Sequence, residues 1–102
     1  MKKSGNGNDS RWILRYHPAV LHKDIPTLDA LSARRIQKTI EMRLSSNPLL
    51  YGAPLRGVLL RLFKLRVSDW RIVYEISPPY IDILLIGHRK DAYARLRRRY
   101  NL

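Results

Sequence analysis

The chain is 102 residues long, enough for one domain with a limited core and too short for two. Twenty Lys and Arg against eight Asp and Glu leave a net charge of +12, and 45% of residues are hydrophobic. That balance excludes wholesale disorder and points to a folded, strongly cationic domain without disulfides, thiolate nucleophiles or thiolate metal sites, because there is no cysteine.

A +12 charge repels itself, and a polyanion relieves it. Nucleic acid is the first partner this implies, an acidic protein the second and an anionic membrane surface the third. No apolar run approaches the roughly 20 residues that span a bilayer. The absence of cysteine suits a reducing cytoplasm. Residues 1–10 hold two lysines followed by Ser, Gly and Asn, with no apolar stretch of the kind a signal peptide carries. They read as a flexible tail ahead of a single domain over residues 11–102.

Residues 11–17 (Arg-Trp-Ile-Leu-Arg-Tyr-His) are rich in strand formers, and Pro18 ends the ladder by removing a donor. Residues 19–23 suit a helical turn reset at Pro26. The clearest helix runs over residues 32–46, where Ile36, Ile40 and Leu44 recur at helical spacing behind Leu31. Ser32 is its predicted cap, and Asn47-Pro48 stops it. Residues 49–57, with two glycines and a proline, read as a loop.

Residues 58–67 alternate as a strand, with Phe63, Leu65 and Val67 on one parity and Leu62, Lys64 and Arg66 on the other. A turn at Ser68-Asp69 leads to a strand over 70–76 with Trp70, Ile72, Tyr74 and Ile76 on one face. After Ser77-Pro-Pro79, residues 80–86 form an almost continuous apolar strand, the mark of burial on both faces. A short basic helix covers 91–100. The predicted fold is α+β: a small antiparallel sheet, made of a three-strand meander plus the N-terminal strand, with helices packed on one face and a short C-terminal helix.

Chemistry concentrates near the ends of the meander strands. Lys64 and Arg71 stand on adjacent strands, His88 and Arg89 end the next, and Tyr93 follows. Converging on one surface, these groups suit cleavage of RNA by its own 2′-hydroxyl. That reaction needs no metal where cations neutralise the phosphorane, and guanidinium forks fit phosphate oxygens. Proton transfer would fall to His88, Tyr93 or a lysine of lowered pKa. Tyr93 could instead stack on a splayed base. Arg61, Arg66, Lys90 and Arg95 flank these residues as expected RNA contacts. Trp12, Trp70, Tyr74 and Phe63 read as core, and Arg97-Arg-Arg99 as an exposed basic helix end. His17, His22 and His88 are too scattered for a metal site, and no glycine-rich phosphate loop is present, so no cofactor is expected.

The segments His17-Pro-Ala-Val, Asp24-Ile-Pro, Pro54-Leu-Arg-Gly57, Lys64-Leu-Arg-Val-Ser-Asp-Trp-Arg-Ile-Val-Tyr74 and Gly87-His-Arg-Lys-Asp-Ala-Tyr93 together resemble the RelE branch of the RelE/ParE toxin superfamily over about residues 11–96. The resemblance implies a toxin of a type II toxin–antitoxin pair that cleaves mRNA in the ribosomal A site without a metal. It implies a cognate acidic antitoxin, a toxin–antitoxin hetero-oligomer and a cytoplasmic site of action. It also makes Lys64 a catalytic lysine, Arg71 and Arg89 the phosphate-stabilising arginines and Tyr93 the aromatic of the terminal helix. Two departures stand out. Leu62 occupies the place where RelE-type enzymes can carry a second lysine, which leaves the general base open and raises the interest of His88, Arg66 and Arg61. The Arg89-to-Tyr93 spacing is also shorter than in some RelE enzymes. The same resemblance admits a ParE-like inhibitor of DNA gyrase that cuts nothing, and a degenerate member that binds without cutting.

Overall fold

The computed structural model describes residues 11–56 and 61–102. The predicted tail and the start of the strand predicted at residue 58 lie outside the described residues. Among the described residues five strands form one sheet: β1 (Ile13–Tyr16), β2 (Ala53–Pro54), β3 (Leu62–Val67), β4 (Trp70–Ser77) and β5 (Tyr80–His88), in the order β1-β5-β4-β3-β2. The meander β3-β4-β5 is antiparallel as expected, and β2 joins β3 antiparallel. The first strand corrects the expected all-antiparallel pairing, since β1 runs parallel to β5. A long crossover through helix carries the chain from β1 back to the far side of the sheet, and such a path is what parallel pairing requires.

After β1 the chain makes a π-helical turn (Val20–Asp24) and a 3-10 turn (Ile25–Thr27), then helix α1 (Ala30–Thr39). The cap of α1 is Asp29, whose carboxylate accepts from the Ser32 amide at 2.6 Å, so Ser32 is the residue served and not the cap. A π-helical turn (Ile40–Leu44) extends α1. The predicted loop that follows holds a four-residue helix, α2 (Pro48–Tyr51), with Asn47 accepting from the Leu50 amide. Helix α3 (Ala92–Tyr100) ends the domain.

Two apolar layers follow from strand alternation. Ile36, Ile40 and Leu44 pack on one face of the sheet against Leu65, Ile72, Tyr74, Ile81, Ile83 and Ile86. Burying each such side chain contributes about 1.5–3 kcal/mol. On the opposite face Ala92 and Leu96 of α3 pack on Leu55, Val73 and Leu85. The helices before β2 therefore cover one face, and the C-terminal helix covers the other.

The faces are not those a strict two-residue period gives along β5. Val73 pairs with Leu85 but Tyr74 pairs with Ile83, so Leu84 is an extra residue in a β-bulge. The bulge puts Ile81 and Ile83 on the α1 face, and returns Ile86 to that same face. Among the described residues no helix is long and apolar enough to cross a membrane.

Candidate nucleic-acid interface

Three packing devices hold α3 over the sheet. Gly87 lies opposite Arg71, and a Cβ there would come within 3.1 Å of Arg95 Nη1 and 3.3 Å of Ala92, so the glycine lets the start of α3 sit close. At the far end Tyr100 donates to the Leu84 carbonyl at 2.6 Å. Between them stands Asp24, fully buried beyond the end of β1. It accepts from the Ile86 amide (2.9 Å), from Arg95 Nη2 (2.7 Å) and from both terminal nitrogens of Arg99 (2.7 and 2.8 Å). The hydrogen bond to this carboxylate raises the Arg99 pKa above its ordinary value.

Asp24 thereby corrects two sequence expectations. Arg95, expected to contact RNA, is tied into a structural ion pair, and Arg99 of the "exposed" basic helix end is largely covered. Arg97 and Arg98 are exposed as predicted.

The α3 face of the sheet carries cations of its own. Lys64 pairs with Val73 and Arg66 pairs with Arg71, which places Lys64, Arg66 and Arg71 on that face, with Arg71 diagonal to Lys64. Like charges directly opposite on a sheet are destabilising, so the Arg66–Arg71 pair is a local cost that a bound anion would remove. The Lys64 ammonium lies 5.9 Å from the centroid of the Tyr93 ring, within cation–π reach. The Arg71 guanidinium donates to the Ser68 and Trp70 carbonyls (3.0 and 2.9 Å), which fixes it beside the β3–β4 turn. Arg89 reaches the same turn: its amide donates to the Asp69 carbonyl at 2.8 Å, and its Nε lies 3.4 Å from the Asp69 carboxylate.

His88 is elsewhere. It pairs with Trp70 on the α1 face, packs edge-on against that ring at 5.7 Å, and accepts the Lys90 amide at Nδ1. The expected convergence of His88 with Lys64 and Arg71 on one surface is therefore corrected, and the cause is the Leu84 bulge. Lys90 is exposed in the β5–α3 turn, and Arg61 is exposed just before β3.

Two concavities flank Lys64. One, of about 330 Å³, is lined by Pro54, Leu55, Arg56, Lys64, Tyr93 and Arg97. The other, of about 400 Å³, is lined by Arg43, Tyr51, Lys64 and Arg66 together with Gly52, Ala53 and Leu65. Among the described residues, neither has an acidic lining residue. Sequence reasoning did not find Arg56, Arg97, Arg43 or Tyr51. The Tyr93–Arg97 spacing of four was a usable signal, since such a pair shares a helix face. Arg56, Arg43 and Tyr51 are assembled by β2 pairing, Ala53 with Lys64, which no local pattern announces.

Residues 14–93 match the family model described as the ParE toxin of the type II toxin–antitoxin system parDE. Among solved structures the chain is similar to the toxin–antitoxin complex RelBE2 of Mycobacterium tuberculosis, at 26% identity over 79% of this chain and 94% of that one, with a TM-score of 0.72. It also shares its fold with a conserved hypothetical protein of Helicobacter pylori, at 14% identity over 78% of this chain and 96% of that one, with a TM-score of 0.57. No curated protein matches the chain.

Proposed function

Since the chain belongs to the ParE toxin family of type II toxin–antitoxin systems, within the RelE/ParE superfamily, we propose that it is the RNA-cleaving toxin of such a pair, acting in the cytoplasm on mRNA in the ribosomal A site. One observation carries the reading: Lys64 stands beside Tyr93 on a face where Arg66 and Arg71 crowd together and the flanking concavities have only cationic, aromatic and apolar linings among the described residues. A surface that concentrates positive charge at such cost is suited to hold phosphate.

In the proposed reaction the 2′-oxygen of the substrate attacks the adjacent phosphorus and its proton passes to the Lys64 amine. The bond from phosphorus to the 5′-oxygen breaks, and that oxygen takes a proton from the Tyr93 hydroxyl or from water. The products are a 2′,3′-cyclic phosphate and a 5′-hydroxyl. Guanidinium groups stay protonated, so Arg71 and Arg89 serve as charge and not as base. They neutralise the phosphorane oxygens, a role worth about 10²–10³ in rate per donor. With Leu62 in place of a second lysine and His88 on the far face, proton transfer rests with Lys64 and Tyr93.

The test is to map transcript 5′ ends after brief induction. Lys64→Ala, Arg71→Ala and Arg89→Ala should each lower cleavage at A-site codons about 10²-fold or more and relieve growth arrest. Three variants that remain fully toxic, with cleavage unchanged, would remove this site. A small acidic antitoxin should bind the chain and restore growth, as suits a +12 partner. The family model favours a second reading, a ParE-like inhibitor of DNA gyrase. It requires stalled gyrase–DNA complexes and an SOS response with intact mRNA, so cut message with normal supercoiling would dismiss it.

A further inference from the structure

We infer that Tyr51 and Arg43 form a second nucleobase platform, on the opposite side of Lys64 from Tyr93, which holds a neighbouring unpaired base of the same RNA strand. The inference takes its ligand from the RNA-cleaving reading and adds a subsite that reading does not contain.

The platform is rigidly built. Tyr51 is the last residue of α2, and α2 is fixed at its start by Asn47, which accepts from the Leu50 amide at 3.2 Å. The buried Tyr74 hydroxyl donates to the Pro48 carbonyl at 2.6 Å and so anchors α2 to the centre of the sheet. Gly52 follows because a Cβ there would overlap that same hydroxyl. Tyr51 is consequently held in place while 45% exposed.

The electrostatics agree. The Arg43 guanidinium lies 5.4 Å from the Tyr51 ring centroid. An arginine and a tyrosine so placed offer two planar surfaces on which a base can stack, with cationic help. Lys64 and Arg66 complete the lining with two more basic side chains. The two concavities share Lys64, so one strand can lay a phosphate at that lysine and a base to each side, toward Tyr93 and toward Tyr51. Alternation of aromatic and cationic groups along a groove is how single strands are gripped without reading sequence. A second class of partner, a peptide strand laid against this edge of β3, would use the backbone of residues 65–67 and have no need of the Tyr51–Arg43 pair.

The test uses the full chain and a short single-stranded RNA with 2′-O-methyl sugars, which cannot be cut, carrying 5-iodouracil at successive positions. Irradiation should cross-link a base to the peptide bearing Tyr51. Tyr51→Ala should abolish that cross-link and weaken binding about tenfold to a hundredfold, the worth of one stacked base. Tyr51→Phe, which keeps the ring, should retain both. Arg43→Gln serves as a second exposed variant and should weaken binding severalfold. Tyr51→Ala and Arg43→Gln proteins that bind within twofold of the parent, with cross-links elsewhere, would overturn the inference. So would loss of antitoxin capture with RNA binding intact, which would make this a protein-binding edge. Failure of the nuclease reading is separable: a parent chain that cross-links through Tyr51 but leaves ribosomal mRNA uncut keeps the platform and loses the reaction.

Discussion

The two flanks of α3 carry the same kind of charge and put it to different use. Ala92, Leu96 and Tyr100 lie against the sheet, so Tyr93 and Arg97 project about 100° to one side and Arg95 and Arg99 about 100° to the other. On one side both guanidiniums close on the buried Asp24 carboxylate at 2.7–2.8 Å. On the other, Tyr93 and Arg97 line a concavity with Arg56 and Lys64, and no carboxylate lines it among the described residues. The difference teaches that net charge overstates what a surface offers to an anion. A cation already held by a buried carboxylate belongs to the fold, and the interface is made of those that are not.

Removing Asp24 tests this contrast with the largest effect. Asp24→Ala strands two partly covered guanidiniums and the Ile86 amide, and breaking such a buried pair costs about 3–5 kcal/mol. In a domain this size each kcal/mol shifts the midpoint by about 4–8 °C, so thermal denaturation should show a fall of more than 10 °C. An Asp24→Ala protein melting within a few degrees of the parent would erase the distinction between the flanks.

The sequence made the contrast hard to see for a definable reason. Helical spacing of Ile36, Ile40 and Leu44 predicted the α1 face, and strand alternation of Trp70, Ile72, Tyr74 and Ile76 predicted the α1-facing layer, because both rest on local period. The same logic put Lys64 and Arg71 on one shared face, which is the face that α3 covers. What escaped was set by contacts distant in sequence. Asp24 meets Arg95 and Arg99 across more than seventy residues, and β2 reaches Lys64 through a two-residue pairing. The single inserted residue at Leu84 reversed the face of His88, a reversal that period-two counting cannot anticipate.

Two buried phenols extend the same contrast to neutral groups, with a smaller effect. Burial pushes both Tyr16 and Tyr74 up to about 12. Tyr74 has the Pro48 carbonyl as acceptor, whereas the Tyr16 hydroxyl has no partner among the described residues. Tyr74→Phe should therefore cost about 1–2 kcal/mol, and Tyr16→Phe should be neutral or stabilising by up to about 1 kcal/mol, both read from denaturant midpoints. Because the folded pKa values lie above the ordinary 10, the fold favours the protonated phenols. Stability is full below pH 10 and falls as pH rises from 10 toward 12. An equal loss in both Phe variants would mean that the partner, or its absence, decides nothing.

The smallest effect on stability is expected on the open flank, where it carries the sharpest information. Arg97 and Arg98 are adjacent, equally cationic and both exposed, yet only Arg97 lines the concavity beside Lys64 and Tyr93. Either substitution to Ala should leave stability within about 0.5 kcal/mol, since exposed helix positions of this kind seldom do more. Their effects on binding to a single-stranded RNA should differ. If Arg97 neutralises one phosphate, its removal takes about 0.7 from the slope of log K against log salt. Arg98→Ala changes net charge equally and should leave the slope within error of the parent. Binding that responded equally to both would be driven by total charge, and the flank of α3 would have no special standing. A slope that moves with Arg97 alone places the strand in the groove between α3 and β2, against Lys64.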